Sequence, residues 1–250
     1  MVEDAGGVEF RVLVPWVRAG GYLLQFAERK MILNPMMAGG QDGIKLKCLI
    51  FDFDGTIVDS GAIFVRCINE LSGEYGYEKI TPRPEIREKT VDEFVRRLGI
   101  SRERFGEWGK EFITRLRSAM RSAVPFAGMK EVLNRLCMHY HTGILTSNSE
   151  QVVRGILNRY SLGAVDFIYP EVPILEKDKA IIELLDQQGL KPHDTIYIGD
   201  EMGDIEACRK VGLKIISVCW GFNTKASLER ENSDYLVDSP ENLSKLLLGS

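Results

Sequence analysis

Residues 47–60 read Lys47-Cys-Leu-Ile-Phe-Asp52-Phe-Asp54-Gly-Thr56-Ile-Val-Asp59-Ser60, and they decide the fold class. The apolar run from Cys48 to Phe51 predicts a strand that is buried on both faces, as in a parallel sheet. Two carboxylates, Asp52 and Asp54, follow it directly. Because residues i and i+2 of a strand point the same way, the two carboxylates would crowd each other. Burying such charges without a partner costs several kcal/mol, whereas Mg²⁺ binds oxygen donors of this kind.

The chain from Ile44 onward alternates strand patterns with helical patterns. Strands are predicted over 141–145, 164–169, 194–198 and 213–219, and helices over 129–138, 150–160, 179–188 and 205–211. This alternation is typical of a doubly wound parallel sheet. We therefore expect an α/β, Rossmann-like core made of residues 44–60 and 125–250.

Residues 61–124 interrupt this alternation with helical patterns alone. Apolar residues have helical spacing over 63–71, 85–98 and 101–122, with a break at Thr81-Pro-Arg-Pro84. We expect these residues to form a small α-helical cap inserted into the core.

Residues 1–43 do not fit either pattern, and we expect a poorly ordered N-terminal extension. Charged residues interrupt its apolar runs, so a membrane span is not expected. Glu3 and Asp4 stand where a signal peptide carries positive charge, and transit peptides also avoid acidic residues. Organelle targeting by this extension is therefore not favoured.

The composition excludes several classes of protein. A formal net charge of -4 and a pI of about 5.6 argue against a general nucleic-acid binder. The five cysteines are scattered without a C-x-x-C pair, and with three histidines they do not favour a zinc site. Such cysteine usage is typical of a reduced compartment, so we expect a cytoplasmic protein that binds neither nucleic acid nor membrane.

Four polar clusters follow the predicted strands. They are Asp52 to Thr56, Thr146-Ser-Asn148, Glu176 to Lys179, and Gly199-Asp200-Glu-Met-Gly-Asp204. Because the carboxyl ends of parallel strands share one edge of a sheet, we expect these groups to converge. Carboxylates, a hydroxyl and an amine around one point suit phosphoryl transfer, which depends on positioning and charge neutralisation.

These clusters resemble the motifs of the haloacid dehalogenase superfamily, in its phosphoglycolate phosphatase-like branch with a helical cap. Asp52-Phe-Asp54-Gly-Thr56 matches the first motif, Thr146 the second, Lys177 the third, and Gly199-Asp200 with Asp204 the fourth. The tail from Val218 to Asn223 is also similar to that branch. The resemblance covers about residues 44 to 249.

The resemblance implies a role for each residue. Asp52 would be the nucleophile that forms an aspartyl-phosphate, and Asp54 the general acid and base. Thr146 would bind a phosphoryl oxygen, and Lys177 would bridge nucleophile and phosphate. Mg²⁺ is the implied cofactor, with ligands drawn from Asp52, Asp54 (through its backbone carbonyl), Asp200 and Asp204.

Two choices between neighbouring residues stay open. Ser147 could bind the phosphoryl group instead of Thr146, and Lys179 could replace Lys177, although the pattern favours Thr146 and Lys177 in each case. The further candidate phosphate-binding residues are Gly55, Thr56, Ser147 and Asn148.

Arg87 and Lys89 are the cap residues that could contact substrate. The related branch usually has Arg-Gly here, and Glu88 replaces the glycine. A solvated basic face is an equally good interpretation for Lys89.

The predicted function is Mg²⁺-dependent hydrolysis of a small phosphate monoester, either phosphoglycolate-like or a sugar phosphate. Asp54 favours phosphate esters over haloacids, because a halide leaves without a proton. The alternatives are a phosphomutase acting on a sugar phosphate through the same site, and a catalytically silent binding or regulatory protein. We expect a small phosphorylated metabolite as the partner, and a monomer or homodimer.

Overall fold

A six-stranded parallel sheet forms the centre of the protein. The computed structural model describes residues 9–11, 30–32, 46–81, 87–89, 91–173 and 176–249. Its strands are β1 (Glu9–Arg11), β2 (Lys30–Ile32), β3 (Cys48–Phe51), β4 (Val58–Asp59), β5 (Val124–Pro125), β6 (His141–Leu145), β7 (Phe167–Tyr169), β8 (Thr195–Gly199), β9 (Lys214–Val218) and β10 (Tyr235–Val237). The main sheet has the order β10-β9-β8-β3-β6-β7, and each pairing in it is parallel.

Helices connect these strands. They are α1 (Gly61–Tyr75), α2 (Val91–Arg97), α3 (Arg102–Met120), α4 (Met129–Cys137), α5 (Glu150–Tyr160), α6 (Lys177–Gln187), α7 (Met202–Val211), α8 (Lys225–Arg230) and α9 (Pro240–Leu248). A short 3-10 helix, Pro192–Asp194, precedes β8.

Strand β3 lies in the middle of the sheet, as its wholly apolar sequence predicts. All four of its residues are buried, and it pairs with β6 on one side and with β8 on the other. Phe51 at its end is in register with Ile144 and Ile198. The three strands therefore end nearly level, and the residues that follow them emerge at one edge.

Alternate residues of β3 pack into two separate hydrophobic cores. Leu49 and Phe51 belong to the core shared with α1, α3, α4, α5 and α9. Cys48 and Ile50 belong to the core shared with α6, α7 and α8. Because side chains alternate along a strand, helices cover both faces of the sheet. The predicted α/β fold class is confirmed.

Helices α1, α2 and α3 lie in the chain between β4 and β5. These two strands pair with each other, Val58 with Pro125 and Asp59 with Val124, so the chain leaves and re-enters the sheet region at one place. Phe64 of α1 packs edge-on against Phe112 of α3, with ring centroids 5.2 Å apart. The arrangement suits an inserted cap over 61–124, whose boundaries stay a prediction.

Several elements differ from the sequence prediction. The helix predicted over 85–98 does not run through: Glu88 lies in a turn, and residues 82–86 and 90 are outside the described residues. Helix α7 begins at Met202 rather than Ile205, because Glu201 and Asp204 form a capping box there. Helix α6 begins at Lys177 rather than Lys179. The elements after β9, which are α8, β10 and α9, were not predicted.

The N-terminal extension contains one described pairing. Strand β1 pairs antiparallel with β2, and the rest of residues 1–43 lies outside the described residues, as does the expectation that the extension is poorly ordered. In the part of the chain that the structure describes, no helix combines the length and apolar character needed to cross a bilayer.

Candidate active site

Three neighbouring strands deliver polar side chains to one edge of the sheet. Asp52 follows β3, Thr146 follows β6 and Asp200 follows β8. The backbone N–H of Asp52 donates to the carbonyl oxygen of Ile198 at 2.8 Å, so the pairing of β3 with β8 extends to the first carboxylate. Ligands of open α/β sheets bind at this edge.

The turn after Asp54 brings the backbone against the carboxylate of Asp200. Gly55 has a φ of 76°, and a Cβ atom at this position would overlap the Asp200 carboxylate. Glycine is therefore required both for the backbone angle and for the close approach. The buried hydroxyl of Thr56 donates to Asp200 Oδ1 at 2.8 Å.

The loop after β9 holds Asp200 from its other side. The N–H of Phe222 donates to Asp200 Oδ2 at 2.6 Å. A Cβ atom at Gly221 would also overlap the Asp200 side chain. The indole Nε1 of Trp220 donates to the carbonyl oxygen of Thr56 at 3.0 Å, which ties this loop to the turn after Asp54.

Asp52, Asp200 and Asp204 form a buried cluster of carboxylates. One carboxylate oxygen from each lies within 4.8 Å of the others. Burial raises the pKa of Asp52 and that of Asp200 well above their usual range, and the neighbouring acidic groups add to this effect. Lys177 only partly opposes the effect on Asp52. The cluster carries more negative charge than its protein surroundings neutralise, which fits a divalent cation with oxygen ligands.

The structure places Lys177 in this cluster. Its Nζ lies 3.2 Å from Asp52 Oδ2 and 2.5 Å from Asp204 Oδ1. Burial opposes the charge of Lys177, but the two carboxylates prevail and hold its pKa well above the usual value. The alternative, Lys179, is exposed and pairs with Glu176 at 3.4 Å, away from the cluster.

The Asp54 carboxylate has other partners than the three clustered carboxylates have. Its Oδ2 accepts a hydrogen bond from Asn148 Nδ2 at 2.5 Å, while its Oδ1 is buried without a partner among the described protein atoms. Burial raises the pKa of Asp54 to about 6, although hydrogen bonds from Ser60 and Asn148 act in the opposite direction. The side chain of Asp54 is thus separate from the carboxylate cluster, and a carboxyl with this pKa can exchange protons near neutral pH.

Thr146, Ser147 and Asn148 differ in what they contact. The hydroxyl of Thr146 is buried and accepts hydrogen bonds from the N–H and Nδ2 of Asn148, both at 3.1 Å. A hydroxyl that accepts still has its own hydrogen to donate. Ser147 lines the cavity over this edge of the sheet, so both candidates for phosphoryl binding lie at the edge.

Arg87 and Lys89 dock on the loop after β9. The guanidinium of Arg87 donates from Nε to the carbonyl of Phe222 and from Nη2 to that of Gly221, each at 2.8 Å. The carbonyl oxygens of Arg87 and Lys89 accept from Asn223 Nδ2 at 2.7 Å and 3.0 Å. These contacts hold the predicted cap residues against the loop that supports Asp200.

A cavity of about 420 Å³ opens over this edge of the sheet. Asp52, Asp54, Gly55, Ser147 and Lys177 contribute to its lining, as do residues of α1, α3 and the loop after β9. Arg87 lines the cavity, whereas Lys89 is not among the described lining residues.

Comparison with known proteins identifies the family. The sequence profile of the haloacid dehalogenase-like hydrolases matches residues 49–218. The chain belongs to the haloacid dehalogenase-like hydrolase family. The predicted enzyme class, a hydrolase, is confirmed with it.

Two relatives of this haloacid dehalogenase-like hydrolase are named for different activities. It is 33% identical over 211 residues to the phosphoglycolate phosphatase of Synechococcus elongatus, covering 79% of this chain and 95% of the relative. It is 24% identical over 227 residues to the pyrophosphatase PpaX of Bacillus mycoides, covering 82% of this chain and 98% of that relative.

Solved structures of haloacid dehalogenase-like proteins share the fold. A family member from Streptococcus pneumoniae superposes with a TM-score of 0.67 at 22% identity, covering 79% of this chain and 96% of that one. A predicted phosphatase from Clostridium acetobutylicum superposes with a TM-score of 0.69 at 20% identity, covering 82% of this chain and 99% of that one.

Sequence reasoning missed two parts of the haloacid dehalogenase-like site. Glu201 lines the cavity, and burial raises its pKa to about 7. Gly221 and Phe222 lie against Asp200, and Trp220 ties their loop to Thr56, but none of the three was predicted to take part in the site. The rule used for the other clusters could have found this loop, since it also follows an apolar strand at the carboxyl edge of the sheet.

Proposed function

We propose that this protein is a Mg²⁺-dependent phosphatase that hydrolyses a small phosphate monoester through a phosphorylated Asp52. One observation carries the proposal: the buried Asp52 carboxylate faces the cavity with Lys177 Nζ 3.2 Å away and two further carboxylates beside it. The site thus combines a nucleophile, a fixed cation and a candidate metal site, and these are what phosphoryl transfer requires.

In the first step, an oxygen of Asp52 attacks the phosphorus atom. A bond forms between Asp52 and phosphorus, and the bond from phosphorus to the alcohol oxygen breaks. Asp54 donates its proton to the departing alkoxide, a role that its pKa of about 6 supports. The first product is the free alcohol, and the phosphoryl group stays on Asp52.

In the second step, water attacks the phosphorus atom of the phosphorylated Asp52. Asp54, now ionised, takes a proton from that water. The bond between phosphorus and Asp52 breaks, so inorganic phosphate leaves and the Asp52 carboxylate is restored.

Other residues would bind and orient the phosphoryl group. Lys177 offers a positive charge next to Asp52, and the Thr146 hydroxyl or Ser147 offers a hydrogen-bond donor at the same edge. Asp52, Asp200 and Asp204 would hold Mg²⁺, with the Asp54 carbonyl as a further predicted ligand. When bound, the ion supplies positive charge that offsets the charge of the carboxylates and of the transferring group.

The test measures phosphate release from a panel of small phosphate esters and pyrophosphate, using the full chain with Mg²⁺ or with a chelator. We expect release with Mg²⁺ and none with chelator. Acid quenching followed by peptide mass spectrometry should find one phosphoryl group on the peptide that contains Asp52.

Two substitutions sharpen this test. Asp52→Asn should lower turnover by more than about a thousandfold, about 4 kcal/mol of activation free energy, with a melting temperature that does not fall. Lys177→Ala should cause a large loss, whereas the matched variant Lys179→Ala should not. Asp52→Asn activity within about tenfold of the native chain would contradict the nucleophile assignment. Phosphate moving to a second hydroxyl instead of water would favour the phosphomutase alternative.

A further inference from the structure

The cavity above Asp52 has a wall that the chemistry at phosphorus does not use. The wall consists of large apolar side chains: Phe64, Val65, Leu116, Phe126, Trp220 and Phe222. The cavity volume of about 420 Å³ lies within the range typical of pockets that enclose a whole organic ligand, about 300–1,000 Å³. There is room for a leaving group beyond the phosphoryl group.

The wall is assembled from separate parts of the chain. Phe64 comes from α1, and Phe222 from the loop after β9, and their rings meet edge-on with centroids 5.9 Å apart. Phe126, which follows β5, meets Trp220 with centroids 6.4 Å apart. The indole of Trp220 is fixed by its hydrogen bond to Thr56. These contacts hold the aromatic surface in place before any ligand enters.

The aromatic residues of the wall keep part of their surface accessible. Phe64, Phe126, Trp220 and Phe222 are all only half-buried. Elsewhere among the described residues, the exposed large apolar side chains are scattered singly: Phe105, Val124, Met138 and Ile182. An accessible apolar surface that is concentrated in a concave site is typical of ligand binding.

The charged residues of the cavity disfavour a second negative charge on the ligand. Asp59 lines it in addition to the catalytic carboxylates. Its two described cations both have protein partners, because Lys177 pairs with acidic groups and Arg87 donates to the carbonyls after β9. A carboxylate on the leaving group would therefore meet repulsion from these acidic side chains, and it would have to compete with the carbonyls after β9 for the Arg87 guanidinium.

We propose that the leaving group of the substrate is an uncharged alcohol bearing an aromatic group, which packs between Phe64, Trp220 and Phe222. This inference rests on the proposed function and narrows it to one class of phosphate monoester. A small anionic leaving group such as glycolate would leave the apolar wall uncovered and would face Asp59.

The experiment compares three primary alkyl phosphates with the full chain and Mg²⁺: benzyl phosphate, ethyl phosphate and 2-phosphoglycolate. Each leaves as a primary alkoxide, so the chemistry at phosphorus is similar and the groups differ in apolar size and charge. We expect kcat/KM for benzyl phosphate to exceed that for each of the others by at least about tenfold, because only its ring covers the wall.

Two outcomes would count against the inference in different ways. If phosphoglycolate is hydrolysed with a kcat/KM equal to or above that of benzyl phosphate, the inference is overturned and the proposed function stands. If the folded protein with Mg²⁺ releases phosphate from none of the three esters or the wider panel, the proposed function fails, and the inference fails with it.

A substitution in the wall tests whether the preference arises there. Val65→Lys places a cation at the cavity, so the ratio of kcat/KM for benzyl phosphate over phosphoglycolate should fall by at least about tenfold. Met138→Lys makes a similar change at an exposed site outside the lining and should leave the ratio unchanged. An unchanged ratio in folded Val65→Lys would overturn the assignment to this wall.

Inhibition of the native chain gives a measurement that needs no variant. Benzylphosphonate should compete with substrate at a concentration at least about tenfold lower than phosphonoacetate does. Equal inhibition by the two compounds, or stronger inhibition by phosphonoacetate, would contradict an apolar leaving-group site.

Discussion

Asp54 and Asp52 are two residues apart, but the residues around them give them different chemistry. Lys177 faces Asp52, whereas Asn148 donates to Asp54, one of whose oxygens is buried without a partner among the described residues. The proposed reaction uses this difference, since one carboxylate must attack phosphorus while the other carries a proton.

Replacing Asp54 should therefore affect substrates according to their leaving group. In Asp54→Asn, single-turnover release of the alcohol from an alkyl phosphate should slow by about a hundredfold or more, because the alkoxide has lost its proton donor. Single-turnover release of p-nitrophenol from p-nitrophenyl phosphate should slow by less than about tenfold, since that group leaves without a proton. The measurement compares these two rates, because release of the alcohol precedes the second step, in which Asp54 acts as a base for both substrates.

Asp59→Asn serves as its control, because Asp59 lines the same cavity but has no proton-transfer role in the proposal. It should lower both rates equally or not at all. An equal loss for both substrates in Asp54→Asn would remove Asp54 as the acid.

Gly55 is a second residue whose role depends on one contact. Gly55→Ala should destabilise the fold by at least about 1–2 kcal/mol, because φ at this position is positive and the new methyl group would overlap Asp200. Urea unfolding with and without Mg²⁺ measures the loss, and the stabilisation by Mg²⁺ should shrink as well.

The matched change is Gly73→Ala, in the last turn of α1 with open space around the position. There alanine should be neutral or should stabilise by about 0.5–1 kcal/mol. Similar effects of the two substitutions would show that Gly55 is not under the constraint described.

Among the elements, the short 3-10 helix before β8 holds the starts of β3 and β8 together. Asp194 at its end accepts hydrogen bonds from Lys47 Nζ at 2.8 Å and from the N–H of Lys191 at 3.2 Å. Burial opposes the charge of Asp194, but these donors prevail and lower its pKa. Asp194 thus links the residue before β3 to the start of β8.

A pH-dependent contribution to stability follows. The pKa of Asp194 is lower in the folded protein than its value of about 3.9 in the unfolded chain. Ionised Asp194 therefore adds to the free energy of unfolding at pH values above about 3.9, and this addition is lost as the pH falls through the pKa of the folded protein. Asp194→Asn should therefore lower the free energy of unfolding by about 1–3 kcal/mol at pH 7.

The difference between Asp194→Asn and the native protein should shrink towards zero as the pH drops below about 4. Asp186→Asn, which removes an exposed carboxylate on α6, is the control and should change stability little at any pH. If the difference in free energy of unfolding between Asp194→Asn and the native protein were the same at pH 7 and below about pH 4, the ionic role of Asp194 would be contradicted.

At the scale of the whole molecule, the proposed site is built from residues 52 to 223. The family profile begins at residue 49, and the sheet that carries the site begins at Cys48. Removing residues 1–42 should therefore leave kcat/KM within about twofold and the melting temperature within about 4 °C, which corresponds to roughly 1 kcal/mol. Thermal unfolding and steady-state kinetics of the shortened chain are the measurements, and a larger loss in either would make the extension part of the functional fold.

The parts that could be predicted from the sequence are those with a local pattern. The apolar run before Asp52, the glycine after Asp54 and the alternation of strands with helices carry their own signal, and the parallel sheet then implies where the polar clusters meet. The family followed from four such clusters in order.

The parts that could not be predicted depend on contacts between distant residues. Trp220 bonds to Thr56 across 164 residues, and Arg87 bonds to Phe222 across 135. Nothing in the sequence near Arg87 reveals that its guanidinium meets backbone carbonyls, or that the predicted helix turns at Glu88. The apolar wall was missed for the same reason, since its members are spread from Phe64 to Phe222.

The close approach of Gly55 and Gly221 to Asp200 has a consequence for how this enzyme can evolve. A side chain at either glycine would collide with the same carboxylate, so the effects of substitutions at the three positions are not independent. Substitutions at Gly55 and Gly221 should be strongly epistatic: the first would displace Asp200, and the second would then add little further harm. In a library that varies all three positions, functional sequences should retain Gly55, Asp200 and Gly221 together.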